Sequence, residues 1–118
     1  MMATENVGAV IKTLHARIDG IATALLMRNG QVVYAEVPSG VYTESFGIMC
    51  ATMFGAAVTA YAELHWPPPE RIVIEGADGT TILVGRGEKT LLVAVVNRTG
   101  DRTQVLEELD RVVACLPQ

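Results

Sequence analysis

The sequence predicts a single α/β domain over residues 1–118, in which a five-stranded antiparallel sheet lies between helices on both of its faces. Apolar residues recur three and four positions apart near both ends of the chain, as they do in amphipathic helices. Short apolar runs separated by Asn29-Gly30 and by Asp78-Gly79 predict strands joined by turns. Residues 45–62 carry no charge over eighteen positions, which predicts a long helix covered on both sides.

The first helix is expected over about residues 4–17, and Gly20 interrupts its pattern. A strand follows over residues 21–28, apolar on both faces, and its partner returns over residues 31–36. Asn29-Gly30 between them is the strongest signal for a two-residue hairpin turn. The apolar stripe of the helix consists of Val7, Val10, Ile11, Leu14 and Ile18.

The long helix is expected over about residues 42–65, and the prolines at 67–69 prevent its continuation. An antiparallel meander follows, with strands at residues 71–75, 80–85 and 89–97. Asp101 and Gln104, three residues apart, predict a capping box at the start of the last helix. The apolar stripe of that helix consists of Val105, Leu106, Leu109, Val112, Val113 and Leu116.

The strands differ in how apolar they are, and this predicts their places in the sheet. The first and fifth strands are apolar on both faces and belong in the middle, whereas the second and third become the edges. The first and last helices each have one apolar stripe and share one face of the sheet. The long helix takes the other face, so the chain is predicted to fold in three layers, α/β/α.

The long helix is interpreted as a subunit interface, because a charge-free helix in a small domain needs a second cover. Gly47, Ala51 and Gly55 lie four positions apart and offer a groove to another helix. We expect a contact with a second copy that uses both this helix and the third strand. Its predicted residues are Gly47, Ala51, Phe54, Gly55, Val58, Ile72, Val73 and Ile74.

Membrane insertion is the alternative for this helix, since eighteen apolar residues are near the minimum for a span. Composition disfavours it, because the run is rich in alanine and contains no leucine. Its flanks are Glu44 and Glu63 rather than the lysines and arginines that anchor spans. We therefore expect no membrane insertion.

Charge and cysteine content exclude further classes of protein. The formal net charge is −4 and no basic cluster occurs, so nucleic acid is not an expected partner. Cys50 and Cys115 are isolated on predicted helices and are expected to be buried small hydrophobes in a reducing compartment. The first twenty residues contain no apolar core of a signal peptide, and the chain is expected to be cytoplasmic.

In its order of segments the sequence resembles the roadblock family, named after a dynein light chain and including prokaryotic regulators of Ras-like GTPases. The likeness is carried by residues 20–30, 44–63, 73–79 and 87–93. It implies a profilin-like α/β/α domain with sheet order 2-1-5-4-3, paired through the long helix and the third strand into a ten-stranded sheet. It also implies a binding platform rather than an enzyme. The Trp66-Pro67-Pro68-Pro69 connection departs from the glycine-containing loop of many relatives.

No catalytic, cofactor or metal site is predicted. Residues 85–90 resemble the end of a phosphate-binding loop, but the glycine spacing is wrong and a strand follows. His15 and His65 are expected at the surface or at helix ends rather than as ligands. Three arginines at strand ends and turns are candidates for an arginine finger: Arg28, Arg86 and Arg98.

The leading hypothesis is a non-catalytic homodimer that binds a small Ras-like GTPase and modulates its nucleotide cycle. Two alternatives stay open. One is a scaffold subunit of a signalling, motor or membrane-sensor complex without a GTPase partner. The other is a small-ligand sensor, which requires a pocket between sheet and helix, whereas the small residues of the long helix predict close packing there.

Overall fold

The computed structural model describes residues 4–97 and 102–116. The predicted capping residue Asp101 and the arginine Arg98 lie outside these ranges. Three helices and five strands follow each other in the predicted order of helix, hairpin, long helix, meander and helix. They are α1 (Thr4–Arg17), β1 (Ile21–Met27), β2 (Val32–Glu36), α2 (Thr43–Glu63), β3 (Arg71–Glu75), β4 (Gly79–Arg86), β5 (Thr90–Asn97) and α3 (Arg102–Ala114).

The five strands form one antiparallel sheet in the order β2-β1-β5-β4-β3, which confirms the predicted order. The central strand β5 pairs along its length with β1 on one side and β4 on the other, from Ile21 opposite Val96 to Met27 opposite Thr90 on the β1 side. The edges are β2 and β3, as their lower apolar content predicts.

One face of the sheet is covered by α1 and α3. Their stripes are buried as predicted, and Ile11, Leu14 and Leu109 have no exposed surface. They pack against Leu25 of β1 and Leu92 of β5 in one apolar cluster. Burial of these side chains supplies most of the favourable free energy that holds the two helices to the sheet.

The other face is covered by α2, which completes the three layers. Cys50, Ala51 and Phe54 of this helix are buried with Leu83, Leu91 and Val93 of the sheet. Because small residues line its inner side, α2 comes close to the backbone of the β1–β2 turn. A Cβ atom added to Gly47 would lie 2.9 Å from the Gly30 oxygen, and one added to Gly30 would lie 2.9 Å from Cα of Ile48.

The turn between β1 and β2 differs from the predicted two-residue hairpin. Gly30 N–H donates to Met27 O, and Met27 N–H donates to Gln31 O, so the loop contains the three residues 28–30. Gly30 has φ 96°, whereas Asn29 does not adopt a positive φ. This is a type I turn followed by a left-handed glycine. The Asn29 side chain instead accepts a hydrogen bond from Gln31 N–H at 2.9 Å.

Candidate interaction surface

The two sides of α2 have different environments. The inner side, with Gly47, Cys50, Ala51 and Phe54, is buried against the sheet. The outer side carries large apolar groups in solvent, since Ile48 is 52% and Met49 64% exposed. Met53, Ala56 and Ala60 are also exposed, and no charge lies between Glu44 and Glu63. This outer face is therefore an apolar surface that the described residues leave uncovered.

The eight predicted interface residues do not share one surface. Gly47, Ala51 and Phe54 are covered by this chain's own sheet, so they are not available on the outer side of α2. Within the stripe of small residues, Gly47 and Ala51 serve the approach of the helix to the sheet. Gly55 is exposed, with open space where a Cβ would lie, and Val58 is half-buried. The two sides could not be separated from the sequence, because small apolar residues occur on both.

The third strand presents an open edge. Ile72 packs on the α2 side of the sheet and Val73 on the α1/α3 side, while Ile74 is 36% exposed. Gly85 N–H donates to Glu70 O at 3.1 Å. Because hydrogen bonding alternates along an antiparallel strand, the backbone groups of Val73 point away from β4. No strand within the described residues receives them.

The opposite edge of the sheet is irregular. The register between β1 and β2 shifts at Leu25 and Leu26, which lie opposite Tyr34 and Val32, so Val33 is the extra residue of a β-bulge. A bulge twists a strand and interrupts the regular row of donors and acceptors, which disfavours pairing with another chain. Of the two edges, β3 is therefore the one suited to association.

Among the cavities that border α2, two have mainly apolar walls. The first, here the Arg28 cavity, has a volume of about 530 Å³ and is lined by Arg28, Phe54 and Val58, together with residues 68–70 and 85–88 in part. The second, here the Phe46 cavity, has a volume of about 570 Å³ and lies at the start of α2, near the β3–β4 turn. Close packing is thus limited to parts of α2, such as Gly47 against the β1–β2 turn, contrary to the expectation of close packing along the helix.

Arg28 is held in place at the side of its cavity. Its Nη2 donates to Gly87 O at 2.7 Å, and the guanidinium carbon lies 4.8 Å from the centroid of the Phe54 ring. A Cβ on Gly85 would meet both side chains, at 2.7 Å and 3.0 Å. Burial lowers the pKa of Arg28, and its Nε has no hydrogen-bond partner. These contacts give Arg28 a structural role beside its cavity.

A polar cluster beneath α1 joins a hydroxyl, an imidazole and a carboxylate in the order in which a catalytic triad joins them. His15 Nε2 lies 2.8 Å from Thr23 Oγ1, and His15 Nδ1 lies 3.3 Å from Glu36 Oε2. Tyr34 donates to Glu36 Oε1 at 2.8 Å, and this hydrogen bond raises the pKa of Tyr34. Thr23 is only 1% exposed, so its hydroxyl has no access to a substrate. The cluster ties α1 to β1 and β2, and it places His15 in a network that sequence inspection did not identify.

The second arginine candidate, the two cysteines and the second histidine have no catalytic arrangement around them among the described residues. Arg86 donates to the Leu116 and Ala114 carbonyls at the end of α3. Cys50 is buried as predicted, but Cys115 is exposed because it lies on the outer side of the turn after α3. His65 is exposed at the end of α2. Within residues 4–97 and 102–116, no group of three or more His, Cys, Asp or Glu side chains is placed to hold a metal ion.

By length and composition alone, α2 is a helix that is able to cross a membrane. A single helix of this kind is weak evidence, because core helices of soluble proteins meet the same criteria. Phe54 and Cys50 on its inner side are buried against the sheet of the same chain. This packing is that of a core helix with one uncovered side.

Comparison with known proteins identifies the family. The Roadblock/LC7 domain model matches residues 9–97, which include both hairpin strands, α2 and the meander. The chain belongs to the Roadblock/LC7 family. The matched range ends where β5 ends, so α3 lies outside it. The sheet order that the resemblance implied is the one observed, and members of the family are regulators or scaffolds.

Sequence relatives occur in the archaeon Methanocaldococcus jannaschii. The uncharacterized protein MJ0714 is 33% identical over 78 residues, which is 65% of this chain and 66% of that protein. The uncharacterized protein MJ0310 is also 33% identical over 78 residues, or 65% of this chain and 68% of that protein. The match thus spans about two thirds of each relative.

Solved structures share the Roadblock/LC7 fold at low sequence identity. Myxococcus xanthus MglB has a TM-score of 0.88 at 16% identity, covering 97% of this chain and 86% of MglB. The gliding protein MglB of Thermus thermophilus has a TM-score of 0.85 at 19% identity, covering 96% of this chain and 87% of that protein. Profilin II of Acanthamoeba castellanii has a TM-score of 0.55 at 15% identity, covering 80% of this chain and 82% of profilin II. The profilin-like class predicted from the sequence is therefore confirmed at the level of the fold.

Proposed function

We propose that this Roadblock/LC7 chain is a cytoplasmic homodimer that binds a small Ras-like GTPase and modulates its nucleotide cycle without catalysing a reaction itself. The observation that carries the proposal is an uncovered apolar surface. It consists of the outer face of α2 and of the residues of the open edge strand β3 that lie on the same side of the sheet. Family membership supports the partner class, because prokaryotic members often act beside a small GTPase. The likeness to MglB structures supports the fold of such a regulator.

The sequence of β3 favours pairing with a second copy of itself. Read in either direction from Val73, the strand has an isoleucine and then a charged residue, Arg71 on one side and Glu75 on the other. In an antiparallel pair centred on Val73, each arginine lies opposite a glutamate, which is stabilising across strands. A parallel pair in register would place Arg71 opposite Arg71 and Glu75 opposite Glu75. The charges therefore favour the antiparallel register, although Arg71 and Glu75 also form ion pairs with α3.

Backbone groups agree with this register. Those of Arg71, Val73 and Glu75 point away from β4, as the hydrogen bond from Gly85 to Glu70 requires. A two-fold axis between the two Val73 residues would join both copies by reciprocal bonds and extend the sheet to ten strands. Because that axis is perpendicular to the sheet, α2 of both copies would lie on one side. The proposed contact then uses Gly55, Val58, Ile72, Val73 and Ile74 of the predicted set, with the exposed methionines of α2.

Proline at position 73 tests the dimer. Val73→Pro removes the central outward N–H but no ladder bond to β4, so the chain is expected to fold and remain a monomer. Ile72→Pro is the matched control, since it removes a ladder bond within the chain and is expected to unfold the β3 edge. Light scattering and circular dichroism measure the two effects. A folded Val73→Pro protein with an unchanged dimer mass would contradict β3 pairing.

The GTPase partner is tested by capture from a lysate of the source cells, supplied either with GDP or with a non-hydrolysable GTP analogue. Immobilised wild-type chain is expected to retain a protein that contains G-x-x-x-x-G-K-[ST] in one nucleotide state only. The monomeric Val73→Pro chain is the control and should retain little of it. Single-turnover GTP hydrolysis with the purified pair then measures the change in rate. Retention of no protein with that motif would contradict the proposal.

Two other functions have specific support. A scaffold without a GTPase partner would use the same apolar α2 face, and the capture experiment would then return a kinase, motor or transporter component. A ligand sensor gains support from the Arg28 and Phe46 cavities, whose volumes of about 530 and 570 Å³ lie within the range of small-molecule sites. A protein-binding role is favoured over a sensor, because the exposed Ile48, Met49 and Met53 of α2 line neither cavity. Among protein-binding roles, family membership favours the GTPase regulator.

A further inference from the structure

The connection after α2 presents a rigidly held, exposed tryptophan. The backbone N–H of Trp66 donates to the backbone oxygen of Tyr61, and the backbone N–H of His65 donates to that of Ala62, each at 3.0 Å. His65 has φ 59°. These bonds form a Schellman motif with histidine in the left-handed position. The Tyr61 and Trp66 rings meet edge to face, with centroids 5.4 Å apart. Trp66 nevertheless stays 57% exposed, and three prolines follow it.

The Phe46 cavity is an apolar recess at the other end of α2. Residues on this face of the sheet become smaller along the strands, from Leu26 to Ala22 on β1 and from Leu83 to Thr81 on β4. The sheet therefore recedes below Phe46 and leaves about 570 Å³ open. Among the lining residues, Asp78 is the one that carries a charge. Such a recess fits a bulky apolar group with little charge.

The β3 register brings the tryptophan of one copy to the recess of the other. When the two Val73 residues face each other across the axis, Arg71 of the second copy lies opposite Glu75. Residues 66–69 of the second copy precede its β3, and the turn at residues 76–79 follows β3 in the first copy. The two segments are therefore neighbours. That turn forms one wall of the Phe46 cavity, and the perpendicular axis keeps both α2 helices on the side where the cavity opens.

We infer that Trp66 of each copy occupies the Phe46 cavity of the other, so that the site is complete only in the dimer. The inference rests on the proposed homodimer and adds to it a reciprocal anchor. An isologous interface requires such reciprocity, because each contact occurs twice. Tryptophan is among the residue types most enriched at the energetic centres of interfaces. The indole buries its apolar area without requiring a charged partner in the recess.

Fluorescence of Trp66 tests the anchor directly, because it is the single tryptophan of the chain. As the protein concentration is raised through dimer formation, emission is expected to shift to shorter wavelength and acrylamide quenching to fall. Trp66→Ala is expected to weaken association about tenfold or more, and Trp66→Phe by less. Light scattering measures the mass of each variant, and circular dichroism verifies that each is folded.

Filling the recess tests the second half of the inference. Ala22→Leu adds bulk to the floor of the Phe46 cavity and is expected to weaken the dimer and to return Trp66 emission to longer wavelength. Val10→Ile is the matched control, since it adds one methylene on α1, on the opposite face of the sheet from the proposed contact, and should leave the emission unchanged. If Ala22→Leu leaves both association and emission unchanged, Trp66 does not occupy this cavity.

The failure of the anchor is distinguishable from the failure of the dimer. A dimer whose Trp66 emission does not change on dilution would overturn the anchor and leave the homodimer in place. A chain that stays monomeric at all concentrations tested, by mass, would overturn both. A dimer with shifted emission that Ala22→Leu reverses is the result expected here.

Discussion

At the scale of single residues, two glycines of α2 illustrate how similar positions acquire different roles. Gly47 faces inward, where an added Cβ would lie 2.9 Å from Gly30 O and 3.1 Å from Leu26 Cδ2. Gly55, two turns later, has nothing within 4 Å of such an atom. The first glycine permits the helix to contact the β1–β2 turn. Within a single chain, the second lowers the stability of the helix, because glycine costs conformational entropy.

Alanine substitutions should therefore act in opposite directions. Gly47→Ala is expected to destabilise the chain by roughly 1–3 kcal/mol, because backbone atoms of the turn must move. Gly55→Ala, the matched control in the same helix, is expected to stabilise it by about 0.5–1 kcal/mol. Urea unfolding at protein concentrations below dimer formation measures both. A Gly47→Ala protein as stable as wild type would mean that the turn and helix are not in close contact.

The two cysteines differ in their exposure to solvent, as the two glycines do. Cys50 is 1% exposed, and burial raises the pKa of its thiol, which keeps the reactive thiolate scarce. Cys115 is exposed. We expect a thiol reagent at mildly alkaline pH to modify one cysteine of the native chain quickly and the second only after unfolding. Mass spectrometry of the peptides should locate the fast reaction at Cys115, and Cys115→Ser should abolish it.

At the scale of elements, ion pairs hold α3 to its neighbours. Arg71 Nη1 lies 3.2 Å from Asp110 Oδ1, and Arg102 Nη1 lies 2.8 Å from Glu75 Oε1. These ion pairs connect both ends of β3 to the helix. Glu108 receives hydrogen bonds from Arg111 at 2.6 Å and from Arg17 of α1 at 3.2 Å. These partners, Arg111 foremost, lower the pKa of Glu108 in the folded chain.

The lowered pKa of Glu108 predicts a pH dependence. A carboxylate whose pKa falls on folding adds stability above its unfolded pKa, and that stability is lost as the pH falls through the folded value. Glu108→Gln is therefore expected to be less stable than wild type at neutral pH and equal to it in acid below both pKa values. Glu107→Gln, at the neighbouring position on α3, is the control. Thermal unfolding at several pH values measures the difference, and a gap that persists in strong acid would contradict it.

Sequence patterns predicted the elements well because the periodicity of α1 and α3 and the apolar strands are strong signals. The orientation of α2 was not predictable in this way. A helix with Gly47, Ala51 and Gly55 in one row and Met49 and Met53 in another has apolar residues on every side, so no polar face identifies the inner one. The turn at Asn29-Gly30 was also mistaken in length. Gly30 lies against Ile48 of α2, where a Cβ would not fit, and local sequence does not contain that tertiary contact.

At the scale of the whole molecule, one sheet separates two unequal layers. The α1/α3 layer covers its face with two helices and a large apolar cluster, whereas α2 covers the other face alone and leaves cavities on both of its flanks. The same architecture occurs in Myxococcus xanthus MglB at 16% identity. The architecture is therefore compatible with widely different residues at most positions. The recesses and the Trp66 connection depend on individual residues.

A dimer that shelters the weaker layer should make thermal stability depend on concentration. Each tenfold rise in concentration adds about 1.4 kcal/mol to the folded dimer. For two chains of this length, Tm is expected to rise by roughly 3–6 °C per tenfold. The monomeric Val73→Pro chain should show no such rise. Calorimetry over a wide range of concentration measures it, and a constant wild-type Tm would argue against the dimer.

The bulge at Val33 in β2 has a consequence for growth of the assembly. Once the two regular edges have joined, the outermost strands of the enlarged sheet are both copies of β2, and each carries the irregularity. A third chain would meet a kinked row of amides with no matching partner. In the proposed dimer, edge-to-edge addition would therefore end after a single step, and the strand that takes no part in the pairing would disfavour growth into fibrils.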